Sequence, residues 1–335
     1  MKFLAVFVLC CVLCALWVGA EAAEVADLEA GLAAAKAIYQ EDSSPQNLAA
    51  VELLSAQLVA EYGLAGKSVR MDVNESEPND AFGTADPLQT GLTGDYGIGD
   101  ISPAADIDWW SAPTPASNLA FVYVATGASS SGLDSQLNVY DNDGSTLVEY
   151  DDDDGPGVSS VVAGALVGPG PDLYYRINEF GNNGEITPYN LFQAVIARTD
   201  FGLEVEPNNA YTTATPITTQ GVEGTFPAGA VDQDWFSVFV SAGDVMAAIL
   251  DADPDDAGFA GTKQLEIYDT DGTTLLADED QNGTREAYAA GPITAAADGT
   301  YFILVTSDTG NEDYRLVVVV DGSTIPVELQ RFTAE

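Results

Sequence analysis

The sequence predicts a mainly all-β chain: two tandem β-sandwich domains preceded by a short α-helical hairpin. Three observations predict it. First, one long segment occurs twice. Glu75-Ser-Glu77-Pro-Asn79-Asp80 returns as Glu204-Val-Glu206-Pro-Asn208-Asn209, and Asp106-Ile-Asp108-Trp109-Trp110 returns as Asp232-Gln-Asp234-Trp235-Phe236. Tyr140-Asp-Asn-Asp143-Gly144 then matches Tyr268-Asp-Thr-Asp271-Gly272, and Tyr189-Asn-Leu191 matches Tyr314-Arg-Leu316. The offset drifts only from 129 residues at Glu75/Glu204 to 125 at Tyr189/Tyr314, so the chain holds one module in two copies. Second, each copy is a series of short alternating runs rich in Val, Ile and aromatic residues, punctuated by Gly, Asn, Asp and Pro, as in a sandwich. Third, the apolar residues before the first copy recur at helical spacing.

The elements follow in chain order. Residues 1–22 read as a secretory signal peptide: Lys2 is the positive start, Phe3 to Val18 the apolar stretch, and Ala20-Glu-Ala22 the cleavage site. Residues 23–70 hold the helical hairpin. One stripe runs through Val25, Leu28, Leu32 and Ala35. Ser44-Pro45 opens the second, which continues through Leu48, Val51, Leu54, Leu58 and Tyr62 and stops at Gly63. Residues 74–198 form the first sandwich, with strands expected at Phe121–Val124, Leu137–Tyr140, Leu173–Ile177 and Phe192–Ile196. The linker near Arg198 to Leu203 is short, which holds the copies close. Residues 203–320 form the second, with strands at Phe236–Val240, Val245–Leu250, Leu265–Tyr268, Tyr301–Val305 and Tyr314–Val320. Asp-Asn-Asp-Gly and Asp-Thr-Asp-Gly are hairpin turns. Residues 321–335 are a tail outside the repeat, strand-like at Ile325–Leu329.

Composition removes several functions. The chain carries 53 acidic residues against 10 basic, a formal net charge of −43, which repels nucleic acid and anionic membranes. It also repels itself, and high salt or bound divalent cations relieve that repulsion. Most of these carboxylates read as a solvated surface. There is no histidine, so the Ser-His-Asp triad, the Cys-His dyad and histidine-ligated zinc are all excluded. The three cysteines, Cys10, Cys11 and Cys14, lie within the signal, so the mature chain is expected to have no disulfide and no membrane span.

The ordered series Glu-x-Glu-Pro-Asn-(Asp/Asn), Asp-x-Asp-Trp-(Trp/Phe), Leu-x-(Val/Ile)-Tyr-Asp-x-Asp-Gly and Gly-x-Tyr or its variant, found twice, resembles the bacterial pre-peptidase C-terminal domain. Two such domains would cover most of the mature chain. The resemblance implies jelly-roll-like sandwiches, usually attached to secreted peptidases and related to the collagen-binding segments of collagenases. It also implies calcium bound by the two acidic motifs. Carried over residue by residue, the ligands are Glu75, Glu77, Asn79, Asp80, Asp106 and Asp108 in copy one. In copy two they are Glu204, Glu206, Asn208, Asn209, Asp232 and Asp234. The physical reading agrees: calcium takes six to eight oxygens, and glutamates two apart in extended chain project to one face. Asn209 in place of Asp80 removes one charge, so copy two is expected to bind more weakly.

The aromatic pairs divide by strand alternation. Trp110 and Phe236 are core candidates, whereas Trp109 and Trp235 face the other way and are expected to be partly exposed. Asp151 to Asp154, the densest acidic run, reads as a solvated loop before Gly155-Pro156-Gly157. Three functions remain. The first is an exported, non-catalytic binding or adhesion module for an extracellular polymer, protein or polysaccharide. The second is a detached accessory partner of a secreted peptidase. The third is a hydrolase using paired carboxylates, against which stands the recurrence of the same pairs in both copies, as a structural ion site would have it.

Overall fold

The computed structural model describes residues 73–320 and 323–324, apart from 89–94, 115–117, 128–133, 169, 219–220, 228–231, 256–262, 280–284 and 308–311. The signal segment, the helical hairpin and the tail from 325 lie outside the described residues.

The first copy lays down β1 (Val73–Asn74), β2 (Asp86–Pro87), β3 (Asp95–Ile101), β4 (Asp108–Pro113) and β5 (Asn118–Ala125). It continues through β6 (Ser135–Tyr140), β7 (Leu147–Asp151), β8 (Ser160–Leu166), β9 (Asp172–Glu179) and β10 (Ile186–Ala197). The second repeats the series: β11 (Phe201–Leu203), β12 (Thr215–Pro216), β13 (Gly221–Phe226), β14 (Gln233–Val240) and β15 (Val245–Asp251). Then come β16 (Lys263–Tyr268), β17 (Leu275–Asp278), β18 (Ala287–Thr294), β19 (Gly299–Ser307), β20 (Glu312–Val320) and the short β21 (Ser323–Thr324). Each copy is two facing sheets. In copy one they run β1-β3-β10-β5-β8 and β2-β4-β9-β6-β7; in copy two, β11-β13-β20-β15-β18, with β21 on β20, and β12-β14-β19-β16-β17. Successive strands alternate between sheets except at the hairpins β6–β7 and β16–β17 and at the added β21, the strand order of a jelly roll.

Each sandwich has its own core. Trp110, Val122, Leu137, Tyr175 and Leu191 fill the first; Phe236, Ala248, Leu265, Ile303 and Leu316 fill the second. The packing compensates between copies. Trp110 sits over Gly97, where a Cβ would lie 3.2 Å from the indole. At the matching places of copy two, the smaller Phe236 leaves room for Val222, and Phe226 replaces Ile101.

A third apolar layer joins the copies. Phe121, Tyr123, Val161, Ala163, Phe192 and Ile196 from the outer face of one sheet pack with Ala247, Ile249, Ala287, Ala289, Val317 and Val319 from the other. The result is four stacked sheets. All eight residues of β5 and all seven of β15 are therefore buried, since both faces of these strands are covered. The contact pairs equivalent surfaces: β5 meets β15 and β18, β8 meets β15 and β18, and β10 meets β20. It is thus self-complementary, as across a two-fold axis. Two polar approaches run in opposite senses, β15 onto β8 and β5 onto β18, from residues that are not equivalent. Asp251 of β15 presses on Gly164 of β8, where a Cβ would stand 2.3 Å from its Oδ2. Tyr123 of β5 donates to the Gly291 carbonyl of β18 at 2.8 Å. Both glycines have positive φ, +82° and +102°, at register shifts in the small-residue strands β8 and β18. Between β10 and β11 only Arg198, Thr199 and Asp200 intervene, turned by the Asp200 N–H on the Ala197 carbonyl at 2.9 Å.

Candidate metal centres

The first acidic motif lies in the lead-in segment that joins the two sheets of each sandwich. In copy one the Glu75 N–H donates to the Ile98 carbonyl at 3.0 Å, extending the β1–β3 pairing. The chain then crosses to β2, and the Asn79 carbonyl accepts the Trp109 N–H at 3.1 Å. That bond brings Asn79 beside the start of β4, where the second acidic motif begins. Copy two repeats it, with Trp235 N–H on the Asn208 carbonyl at 3.0 Å.

An aromatic cluster fixes the same segment from outside. Trp109 stacks on Tyr140 at 5.2 Å between centroids, and Phe82 sits edge-on to Trp109 and Tyr174. Trp235, Tyr268, Tyr211 and Phe302 reproduce this arrangement. Phe82 and Tyr211 also cover the hairpin glycines Gly144 and Gly272, whose φ values of +60° and +66° the turns require. Hence Trp109 and Trp235 are only 9% and 8% exposed, more enclosed than strand alternation alone predicts, because the ring after each motif folds back over them. Trp110 and Phe236 are fully buried, as expected.

In copy one the ligand atoms of Glu77, Asp80 and Asp106 lie within 4.8 Å of one another. Behind them sit the buried Asn79 and Asp108. Asn79 Nδ2 donates to Asp86 Oδ2 at 3.0 Å, which fixes the amide and turns its oxygen the other way. Asp108 Oδ2 accepts the Tyr189 hydroxyl at 2.6 Å, and Tyr189 in turn accepts Trp110 Nε1 at 2.7 Å. Glu75 Oε1 accepts the Asp100 N–H at 2.7 Å. Asn79 Oδ1 is buried without a hydrogen-bond partner, and Asp108 Oδ1 and Glu75 Oε2 are buried with no partner but the facing carboxyl of the pair. Burial, then the neighbouring Glu75 charge, pushes Asp108 well above the usual carboxylate range; burial likewise raises Glu75. Gly99 leaves the space that Glu75 Oε2 and the Tyr189 hydroxyl occupy.

In copy two Glu206, Asp232 and Asp234 offer oxygens within 4.8 Å of one another. Tyr314 donates to Asp234 Oδ2 at 2.7 Å and approaches Glu204 Oε2 at 3.2 Å. Burial pushes Asp234 up to about 8 and raises Glu204. One end of the Asn208 amide stands 3.1 Å from Glu206 Oε2 and 3.2 Å from Asp234 Oδ1. The other end is 3.5 Å from Thr215 Oγ1, whose own proton goes to the Val205 carbonyl. Turned with its nitrogen toward them, the amide donates to both carboxylates; turned with its oxygen toward them, it offers a cation a ligand. Asn79 has the latter orientation in copy one.

So the structure gathers Glu77, Asn79, Asp80, Asp106 and Asp108 in one place and Glu206, Asn208, Asp232 and Asp234 in another, with Glu75 and Glu204 one step behind. Asn209 is exposed. Sequence reasoning did not assign Asp86 or Thr215, which orient the asparagines, or Tyr189 and Tyr314, which hold the inner aspartates. The two tyrosines were visible as repeated positions; Asp86 and Thr215 differ in type and gave no signal. The acidic run is more ordered than a solvated loop. Asp151 ends β7 and its Oδ2 accepts the Val161 and Asp154 N–H groups, and Arg285 from copy two reaches the Asp153 carbonyl and Asp154.

No family model matches the chain, and no curated protein matches it. Among solved structures the chain is similar to the pre-peptidase C-terminal domain of collagenase from Bacillus anthracis, at 18% identity over 31% of this chain and 93% of that one, with a TM-score of 0.24. It is also similar to the CUB1-EGF-CUB2 domains of rat MASP-1, at 12% identity over 70% of this chain and 99% of that one, TM-score 0.21. A third is the CBM22-1-CBM22-2 tandem domain of Paenibacillus barcinonensis Xyn10C, at 12% identity over 63% of this chain and 81% of that one, TM-score 0.18. Among the described residues no helix is long and apolar enough to cross a membrane.

Proposed function

We propose that the chain is an exported, non-catalytic binding or adhesion module in which a calcium ion locks the lead-in segment of each sandwich to its body. One observation carries the reading, the buried oxygens that no donor satisfies. In copy one these are Asn79 Oδ1 and Asp108 Oδ1; in copy two the Asn208 amide, beside the Glu206 and Asp234 carboxylates, would give an ion its oxygen when turned as Asn79 is. Leaving such oxygens bare costs about 1–3 kcal/mol each, and more for a charged group. A hard cation removes the cost for all of them at once. Clustered side-chain oxygen donors of mixed carboxylate and amide type suit calcium, which tolerates irregular sets, better than magnesium, which demands a near-octahedral one. In copy one Glu77, Asn79, Asp80, Asp106 and Asp108 would hold the ion; in copy two, Glu206, Asn208, Asp232 and Asp234.

The same group built twice, each tying a loop to a sheet, supports an architectural ion over a catalytic one. Two rigid sandwiches would then present their outer sheets to an extracellular protein or polysaccharide, with tandem copies giving avidity. The test is thermal unfolding of the mature chain at fixed high sodium chloride, with EDTA, calcium or magnesium. Calcium alone should raise the midpoint, and calorimetry should find two sites, reduced to one by Glu206→Ala with Asp234→Asn. An unchanged midpoint, or a stoichiometry that ignores these substitutions, overturns the calcium part. Failure to retain any protein or glycan matrix at saturating calcium overturns the binding part.

A further inference from the structure

We propose that the seam between the two sandwiches is also the surface that engages a second copy of this chain: the first sandwich of one chain seats on the second sandwich of another, and the reverse, so that the seam forms twice. The argument rests on the seam, not on the metal centres. Its two sides are equivalent surfaces, strand for strand, and polar approaches run both ways, from β15 onto β8 at Asp251 and Gly164 and from β5 onto β18 at Tyr123 and Gly291. Arg285 adds a tie from the second copy to the Asp153 carbonyl and the Asp154 carboxylate of the first. None of these contacts needs the two sandwiches to belong to one chain. No cysteine follows Cys14 to make the union covalent.

What selects the intramolecular form is the connection. Arg198, Thr199 and Asp200 reverse the chain between β10 and β11, and the reversal depends on one turn, Asp200 N–H to Ala197 carbonyl. A connection this short sits near the limit at which exchange between chains becomes the easier way to satisfy both faces. If the turn fails, each sandwich keeps its own core but leaves a sheet face bearing Phe121, Phe192, Ile249 and Val317 uncovered. The complementary occupant of that face is the matching face of another chain.

The experiment deletes Thr199 and Asp200 from the full mature chain and reads mass by light scattering and strand content by circular dichroism. The expected result is a doubled mass with strand content unchanged, and return to a monomer when Ala163→Glu, a charge placed in the seam, is added. A monomer from the deletion alone, or a dimer that survives Ala163→Glu, overturns the proposal. Should either variant lose its strand signal, the unaltered chain decides. Tagged and untagged chains are unfolded together and refolded at micromolar and at near-millimolar concentration. Mixed dimers that form only at the higher concentration support the exchange, and their absence at both overturns it.

Discussion

Replacing Tyr189 by Phe removes one oxygen and should unsettle two neighbours. The hydroxyl is buried, donates to Asp108 Oδ2 at 2.6 Å and accepts Trp110 Nε1 at 2.7 Å. Burial keeps Asp108 protonated at neutral pH, so its bond contributes about 0.5–1.5 kcal/mol, and a buried N–H left without an acceptor costs about 1–3 kcal/mol. Together they put Tyr189→Phe at roughly 1.5–4.5 kcal/mol. Copy two supplies the control. Tyr314 makes the equivalent bond to Asp234 at 2.7 Å, but Phe236 stands where Trp110 would be, so no indole is stranded. Asp234 is likewise mostly protonated at neutral pH, so Tyr314→Phe should cost only about 0.5–1.5 kcal/mol. Urea unfolding in EDTA, followed by circular dichroism, measures both. For a chain of this size each kcal/mol lowers the midpoint temperature by about 2–4 °C, so the difference is also visible in a melt. The decisive check is rescue: Trp110→Phe with Ile101→Phe, the copy-two pair, should recover part of the Tyr189→Phe loss. If Tyr189→Phe costs no more than Tyr314→Phe, or the rescue fails, the assignment of the loss to the stranded indole is wrong.

Three further outcomes are expected. Asp234 titrates at about 8 in the fold against 3.8 as an ordinary carboxylate, so without divalent cations its contribution to stability is complete below about 4 and is lost as the pH rises through 8. Melting points in EDTA should fall from pH 5 to pH 9, and calcium should flatten the slope; a flat profile in EDTA would contradict the burial argument. Gly97→Val should cost about 1–3 kcal/mol by overpacking the indole, and Trp110→Phe in the same chain should relieve it, because copy two already pairs Val222 with Phe236. Gly164→Val puts a branched residue at φ +82° against Asp251 and should cost at least about 2 kcal/mol, measured by chemical unfolding.

How much of this was legible depended on which sheet a strand joined. Strands built from aromatic and branched residues, such as Leu137–Tyr140 and Tyr301–Val305, announced themselves by alternation against a half-exposed outer face. β8 and β18 did not. They carry Ala163, Gly164 and Ala165 in one copy and Ala289, Ala290 and Gly291 in the other, residues of low strand propensity, because two sheets approach each other there and small side chains fit. β3 was missed for a related reason: Gly97 and Gly99 make way for Trp110 and for Tyr189 with Glu75. The ligand residues were legible because they repeat. Their supporting shell was not, since Asp86 in one copy and Thr215 in the other do the same work with different chemistry.

The lead-in segment has a mechanical consequence. The chain enters the first sandwich through β1, two residues paired in parallel with β3, at the margin of its sheet. Tension applied upstream would reach this strand before any other, and so short a pairing unzips at low force. The next resistance is the stretch from Glu75 to Asn79, held to β3 and β4 by its hydrogen bonds to Ile98, Asp100 and Trp109. Whatever fills the cluster of bare oxygens there sets the force at which the sandwich begins to open. If the proposed calcium ion sits there, a protein tethered by its leading end would hold or yield according to the calcium around it, with its cores playing no part until that junction had given way.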